Sequence, residues 1–411
     1  MRNANLWAVA CALLLAGCLQ TQAPQAVRSF GDALRFLKKH TDAVVLSDAA
    51  GEAQVVVVPK YQGRVMTSTS AGAKGMSYGW INHDLIASGK TTPHMTVFGG
   101  EDRLWFAPEG GQFSIFFKKG EPFDLEHWQT PPLVDTEPFD VAEKKPDRVS
   151  FRKRARLVNY SGTTFDFQID RTVRLLTPAR IGKAVGVALP AGVRAVGFES
   201  ESKMTNTGTK AWEKKTGLLG IWILGQYKPT PGTTIAIPFR PGSDAKLGPA
   251  LNRYPSFGTL LPERLKIKDN VIYFRGDGQR RNKIGVFGRR ARGVCGSYDA
   301  TNGLLTIVQS NPPAGATDYV NGTWAIQKTP YVGDAISSYN DGPLKPGEKA
   351  LGGFYELETL SPAAALEPKE SVTHVHRTLH FQGPKAGLDR IAKAALGLSL
   401  AQIDGALPRL P

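Results

Sequence analysis

The chain has 411 residues and a formal charge of +15, with 51 Lys and Arg against 36 Asp and Glu. That length is ample for one large or two medium domains with a sizeable core. The positive residues are dispersed in small groups, Arg152–Arg156, Arg280–Arg281 and Arg289–Arg292, without an aromatic-interleaved basic motif, which reads as solvated surface and excludes a nucleic-acid binder.

The first 17 residues carry one charge, Arg2, and an apolar run from Leu6 to Ala16. The run is too short for a bilayer, which needs about 20 residues, and has the form of a signal peptide. It ends in Leu15, Ala16, Gly17 and Cys18, which resembles the lipobox of bacterial lipoproteins. That resemblance implies diacylglycerol on the Cys18 thiol and a mature chain that begins there. Leu19 in place of Asp points to the outer membrane, facing the periplasm. Loss of Arg2 with the signal leaves +14 (15 − 1). Cys11 departs as well, so Cys295 stands alone and no intramolecular disulfide can form.

Residues 18–26 read as a tether rich in Gln, Thr, Ala and Pro. Val27, Phe30, Leu34, Phe36 and Leu37, followed by Lys38 and Lys39, predict one amphipathic helix. Beyond Asp42 the pattern changes to period two and short apolar runs. Predicted strands are 54–58, 63–69, 113–117, 149–158, 164–176, 193–204, 284–287, 304–308, 354–357 and 371–381. In the fifth, Phe165, Phe167 and Ile169 alternate with Asp166, Gln168 and Asp170. The fold class is all-β, a large antiparallel sandwich over 27–383. Ala and Leu from Gly387 to Leu407 predict a helical tail after it, within 384–411. No glycine loop follows a strand and opens a helix, so no nucleotide cofactor is implied.

Three segments then carry a further resemblance: KMTNTG at Lys203–Gly208, YELETLSP at Tyr355–Pro362 with LEPKES at Leu366–Ser371, and GGEDRLWFAP at Gly99–Pro108. They resemble, in order, segments of the galactose-mutarotase-like superfamily, whose fold is a β-supersandwich and whose members bind or process sugars. The resemblance implies Glu358 as the base that takes the anomeric proton. Period two places Glu356 on the same strand face, so either can be the inward carboxylate. Aldose epimerases carry a histidine after the Thr-Asn-x-Gly turn, whereas this chain has Gly220 to Tyr227 without one. An acid must then enter from elsewhere, with His83 and His94 as candidates.

Glu101, Asp102, Arg103 and Trp105 sit between a flexible glycine pair and a proline, in a setting read as a loop. Carboxylates and Arg beside an aromatic ring suit sugar hydroxyls and a pyranose face. Asp102 or Glu101 is the candidate second carboxylate, and Arg64 or Arg103 the orienting charge. Trp80, Trp222 and Trp324 are further stacking candidates. His374, His376 and His380 share a strand face, but the outer two lie roughly 20 Å apart along a straight strand, so no metal site is expected. That face reads as exposed and polar. Three functions remain open: sugar binding or epimerisation, glycoside hydrolysis or lysis on the same fold, and a structural envelope role. Export leaves free sugars or glycans as the available partners.

Overall fold

The computed structural model describes residues 29–345 and 347–410. The signal, Cys18 and the tether lie outside the described residues. No described helix is long and apolar enough to cross a membrane.

The first helix runs from Phe30 to His40 and is capped reciprocally by Ser29 and Asp32, with Lys38, Lys39 and His40 in its last turn. Its apolar side, Phe30, Ala33 and Leu37, packs on Val56, Val58 and Met66 of a small three-stranded sheet. That sheet is formed by Val44–Ser47, Gln54–Val58 and Arg64–Thr69.

Two larger antiparallel sheets make the sandwich. The ten-stranded sheet includes Arg148–Val158, Thr164–Leu175, Arg194–Asn206, Leu304–Ser310 and Ser371–Gln382. The six-stranded sheet runs Leu251–Arg253, Asn282–Phe287, Asp334–Asn340, Tyr355–Leu360, Gly220–Tyr227 and Arg103–Ala107. The alternation in Thr164–Leu175 buries Phe165, Phe167 and Ile169 in the main core between these sheets. Asp166 and Asp170 face out and pair with exposed Arg156 and Arg152, both at 2.6 Å. Such pairs contribute at most about 1 kcal/mol each.

The outer face of the ten-stranded sheet is partly covered by helices. Lys385–Leu396 and Leu400–Asp404 bury Leu388, Ile391, Leu400 and Ile403 against Leu305, Ile307 and Phe381. The predicted tail is therefore two helices. Gly397 adopts φ 76° at the end of the first, and Ser399 caps the second.

Two predicted elements differ. Residues 113–117 form no strand; their aromatic side chains instead serve a loop. Arg103–Ala107 is an edge strand, not a loop, because Leu104 and Phe106 are buried behind it and it pairs fully with Gly220–Leu224. The preceding glycines are fixed, not flexible. Gly99 and Gly100 have φ 96° and 113°, and an added Cβ would lie 2.2 Å from Trp80 O and 2.8 Å from Val65 O.

His374, His376 and His380 are also buried, with 3%, 0% and 0% exposure, so their face is not solvated. It points between the sheets. The Thr359 hydroxyl meets His374 Nε2 at 2.8 Å and His376 Nδ1 at 2.9 Å, while His380 Nε2 meets Glu101 at 2.8 Å. Burial lowers the imidazole pKa of His374 to about 3 and of His376 to about 4.

Candidate functional site

Strand pairing sorts the six-stranded sheet into two faces. The back face, with Leu104, Phe106, Leu357 and Thr359, meets the ten-stranded sheet. On the front face Trp105 lies opposite Trp222 and Arg103 opposite Leu224. Gln226 lies opposite Glu356, and Leu224 opposite Glu358. The next strand sets Tyr339 beside Glu356 and Ser337 beside Glu358, and Lys283 follows beside Tyr339. One face thus gathers two glutamates, an arginine, a lysine, an amide and two tryptophans.

Glu358 is fully buried. Its Oε2 accepts the Trp222 indole N–H at 2.8 Å and the Ser337 hydroxyl at 2.7 Å, with Lys283 Nζ at 3.9 Å. Its Oε1 has no partner. Glu356 accepts from Arg103 Nη2 and Gln226 Nε2, each at 2.9 Å. Burial raises the Glu356 pKa to about 8, Arg103 pulling it down and Glu358 pushing it up. Neighbouring ionisation is costly for a carboxyl in so dry a setting.

Lys283 bridges the carboxylates. Its ammonium lies 3.3 Å from Glu109 and over the rings of Trp222, Phe257 and Tyr254, at 4.5, 5.2 and 5.5 Å from their centroids. Burial works against this charge, but Glu109, Glu358 and Glu356 outweigh it and the Lys283 pKa rises. Burial also raises Glu109, despite Lys283. Asp334, which accepts from the Tyr254 hydroxyl and from Asn252, is raised by burial to about 6.

Aromatic loops close over the front face. Trp128 stacks on Phe116 at 5.7 Å and lies 6.2 Å from Trp105, and Trp324 continues the layer 6.1 Å from Trp128. The Arg103 guanidinium lies 4.3 Å from the Trp105 centroid. Within and beneath this cover, Glu358 Oε1, Gln226 Oε1, Arg103 Nε, Trp105 Nε1 and Trp128 Nε1 all lack hydrogen-bond partners. Buried polar atoms are ordinarily paired, so this concentration on one face requires a reason.

The structure brings together Glu358, Glu356, Arg103, Trp105 and Trp222 under a layer that includes Trp324, but not Glu101, Asp102, Arg64, His83 or Trp80. Asp102 forms a fully buried ion pair with Arg171 of the ten-stranded sheet, behind the front face. Glu101 accepts from the Ser68 amide at 2.6 Å and from its hydroxyl, beside His380. Neither therefore serves as the second carboxylate of this face; Glu356 stands there instead.

Arg64 lies in the small sheet, donating to Gly99 O and Gln62 Oε1 at 3.1 Å each. Burial first, and then Arg103, lower its pKa to about 9. His83 packs on Phe36 with ring centroids 4.6 Å apart, and His94 meets Trp128 O through Nδ1 at 2.7 Å. Trp80 packs on Phe354 at 4.8 Å. Lys283, Glu109, Gln226 and Asp334 were not anticipated, although Glu109 directly follows the GGEDRLWFAP segment. Among the described residues no group of three or more His, Cys, Asp or Glu is placed to hold a metal ion.

This architecture is that of the galactose-mutarotase-like sandwich. A candidate aldose 1-epimerase from Escherichia coli K12 superposes with a TM-score of 0.50 at 14% identity, covering 83% of this chain and 99% of that one. A protein from Synechocystis sp. PCC 6803 gives 0.49 at 13% identity, covering 83% and 96% of the two chains. A galactose mutarotase-like protein from Lactobacillus casei ATCC 334 gives 0.46 at 11%, covering 82% and 99%. No curated protein matches the sequence. Residues 28–407 match the model of a family of unknown function, DUF6786, and the chain belongs to that family.

Proposed function

We propose that this protein is an exported lipoprotein, anchored through Cys18 at the cell envelope, whose six-stranded sheet receives a carbohydrate on its front face. The observation that carries the reading is Glu358. One carboxylate oxygen is fixed by Trp222 and Ser337 and the other is unpartnered, beside the paired rings of Trp105 and Trp222. A sugar offers hydroxyls to the free oxygen and an apolar ring face to an indole. Arg103 and Gln226 supply further polar groups in the same row. The mutarotase-like fold is consistent with this use, although fold alone does not assign function.

Glycan-array screening followed by calorimetry of wild type and Glu358→Gln tests the proposal. A charge-assisted hydrogen bond is worth roughly 1.5–3 kcal/mol, so the variant should bind about 10- to 100-fold more weakly. Equal affinities would remove Glu358 from the site. A second reading, a non-catalytic envelope protein, draws support from the aromatic packing of Trp128, Phe116 and Trp324 over this face. It requires that no glycan bind at all.

A further inference from the structure

We propose that the front face of the six-stranded sheet selects a glycan residue carrying an acetamido group. The indole N–H groups of Trp105 and Trp128 donate to the amide oxygen, and the amide N–H donates to Glu358 Oε1. This rests on the sugar-binding reading above and names the class of sugar.

The charges of this face are already paired with one another. Arg103 holds Glu356 at 2.9 Å, and Lys283 lies 3.3 Å from Glu109 and 3.9 Å from Glu358. Asp334 accepts from the Tyr254 hydroxyl and from Asn252. Both cations being taken, a phosphate or a uronate would displace a carboxylate from its partner. A protonated amino sugar would set a second ammonium at Glu358 beside Lys283. Burying an uncompensated charge is costly, so the ligand that fits is neutral.

The atoms left unpaired are mixed in kind. Trp105 Nε1, Trp128 Nε1 and Arg103 Nε are donors, whereas Glu358 Oε1 and Gln226 Oε1 are acceptors. All five belong to buried residues, the most exposed being Trp128 at 6%. Leaving such groups unmet costs free energy, so the ligand must supply acceptors and donors together. An indole N–H can only donate, and each sugar hydroxyl that meets one still carries a proton in need of an acceptor. An amide oxygen has two lone pairs and no proton, so it serves two donor-only groups at once, and the amide N–H then needs one acceptor.

The surroundings suit the rest of the group. Trp105 and Trp128 have ring centroids 6.2 Å apart, and Phe116 lies 5.2 and 5.7 Å from them. This aromatic corner gives the acetyl methyl an apolar seat. Trp105 is fixed on the strand Arg103–Ala107 and Trp128 comes from the covering loop, so sheet and cover hold the group between them. Trp222, edge-on to Trp105 at 5.4 Å, is left for the pyranose ring.

Calorimetry on the full chain compares N-acetyl-D-glucosamine and N-acetyl-D-galactosamine with D-glucose, D-glucosamine, D-glucuronate and N-acetylglycine. Two hydrogen bonds and a buried methyl group should make one of the N-acetyl sugars bind about 10- to 100-fold more tightly than D-glucose. Trp105→Phe and Trp128→Phe keep an aromatic ring but remove the donor. Each should lower the ratio of N-acetylglucosamine to glucose affinity by about 2- to 10-fold, with circular dichroism confirming the fold. In proton–nitrogen correlation spectra of the wild type, assigned from these variants, the indole signals of Trp105 and Trp128 should move on adding the N-acetyl sugar. That of Trp222, already held by Glu358 at 2.8 Å, should move less. Glucose, glucosamine or glucuronate binding as tightly as the N-acetyl sugars overturns the acetamido assignment and leaves carbohydrate binding standing. So does an affinity ratio unchanged in both variants, or unmoved Trp105 and Trp128 signals with the N-acetyl sugar bound. N-acetylglycine binding as tightly as the N-acetyl sugars overturns the choice of a sugar. Absence of binding by every sugar overturns this inference and the reading on which it rests.

Discussion

Asp102→Ala should destabilise the protein by about 3–5 kcal/mol, the loss found when one member of a buried ion pair is removed. The Arg171 guanidinium that it faces is 1% exposed and retains only the Ser202 hydroxyl at 2.9 Å and Gly63 O at 3.4 Å. These neutral acceptors do not compensate a charge between two sheets. Replacing both residues, Asp102→Leu with Arg171→Met, should restore most of the stability because no buried charge is left. Denaturant midpoints of the three proteins, wild type, Asp102→Ala and the double variant, measure this. A loss under about 1 kcal/mol for Asp102→Ala would show that the pair is solvated. Sugar affinity should not change in the folded variants, since Asp102 lies behind the site.

Lys283→Met should be comparably damaging, by about 3–5 kcal/mol at pH 8, because it leaves Glu109 and Glu358 buried without their shared cation. The effect depends on pH. Burial already raises Glu109 above its ordinary value of 4.5 while Lys283 opposes the rise, so the variant raises it further. A carboxyl whose folded-state pKa is raised binds its proton more tightly when folded, and the folded state therefore gains stability as pH falls through that value. The penalty of Lys283→Met should shrink towards pH 5. Chemical denaturation of wild type and variant at both pH values measures it, and an equal penalty would contradict the bridging role of Lys283.

That Glu356 and Glu358 share a strand face followed from period-two alternation, as did the inward row Phe165, Phe167 and Ile169, but Glu358 itself was marked by the YELETLSP resemblance and the predicted strand 354–357 stopped one residue short of it. The setting of Glu101 and Asp102 was not. They precede a strand that reads as a loop, because Arg103 and Trp105 look like loop chemistry until Leu104 and Phe106 are seen to be core. Glycines that look flexible in sequence are held at positive φ by contacts with Trp80 and Val65. Lys283 was invisible for a different reason. Its carboxylate Glu109 is 174 positions away, and Arg103 meets Glu356 across 253. Only the order of strands in the six-stranded sheet creates those neighbours, and local pattern carries no information about that order. The three histidines show the same limit: their shared face followed from parity, but its burial depends on which sheet lies opposite.

A crystal structure of the protein soaked with D-glucose or D-galactose tests the central claim most directly. The account predicts a pyranose over Trp105 and Trp222 on the front face, with a hydroxyl about 2.6–3.2 Å from Glu358 Oε1 and Trp128 or Trp324 displaced to admit it. A sugar ordered at another surface, with the aromatic cover closed and Glu358 untouched, would contradict it.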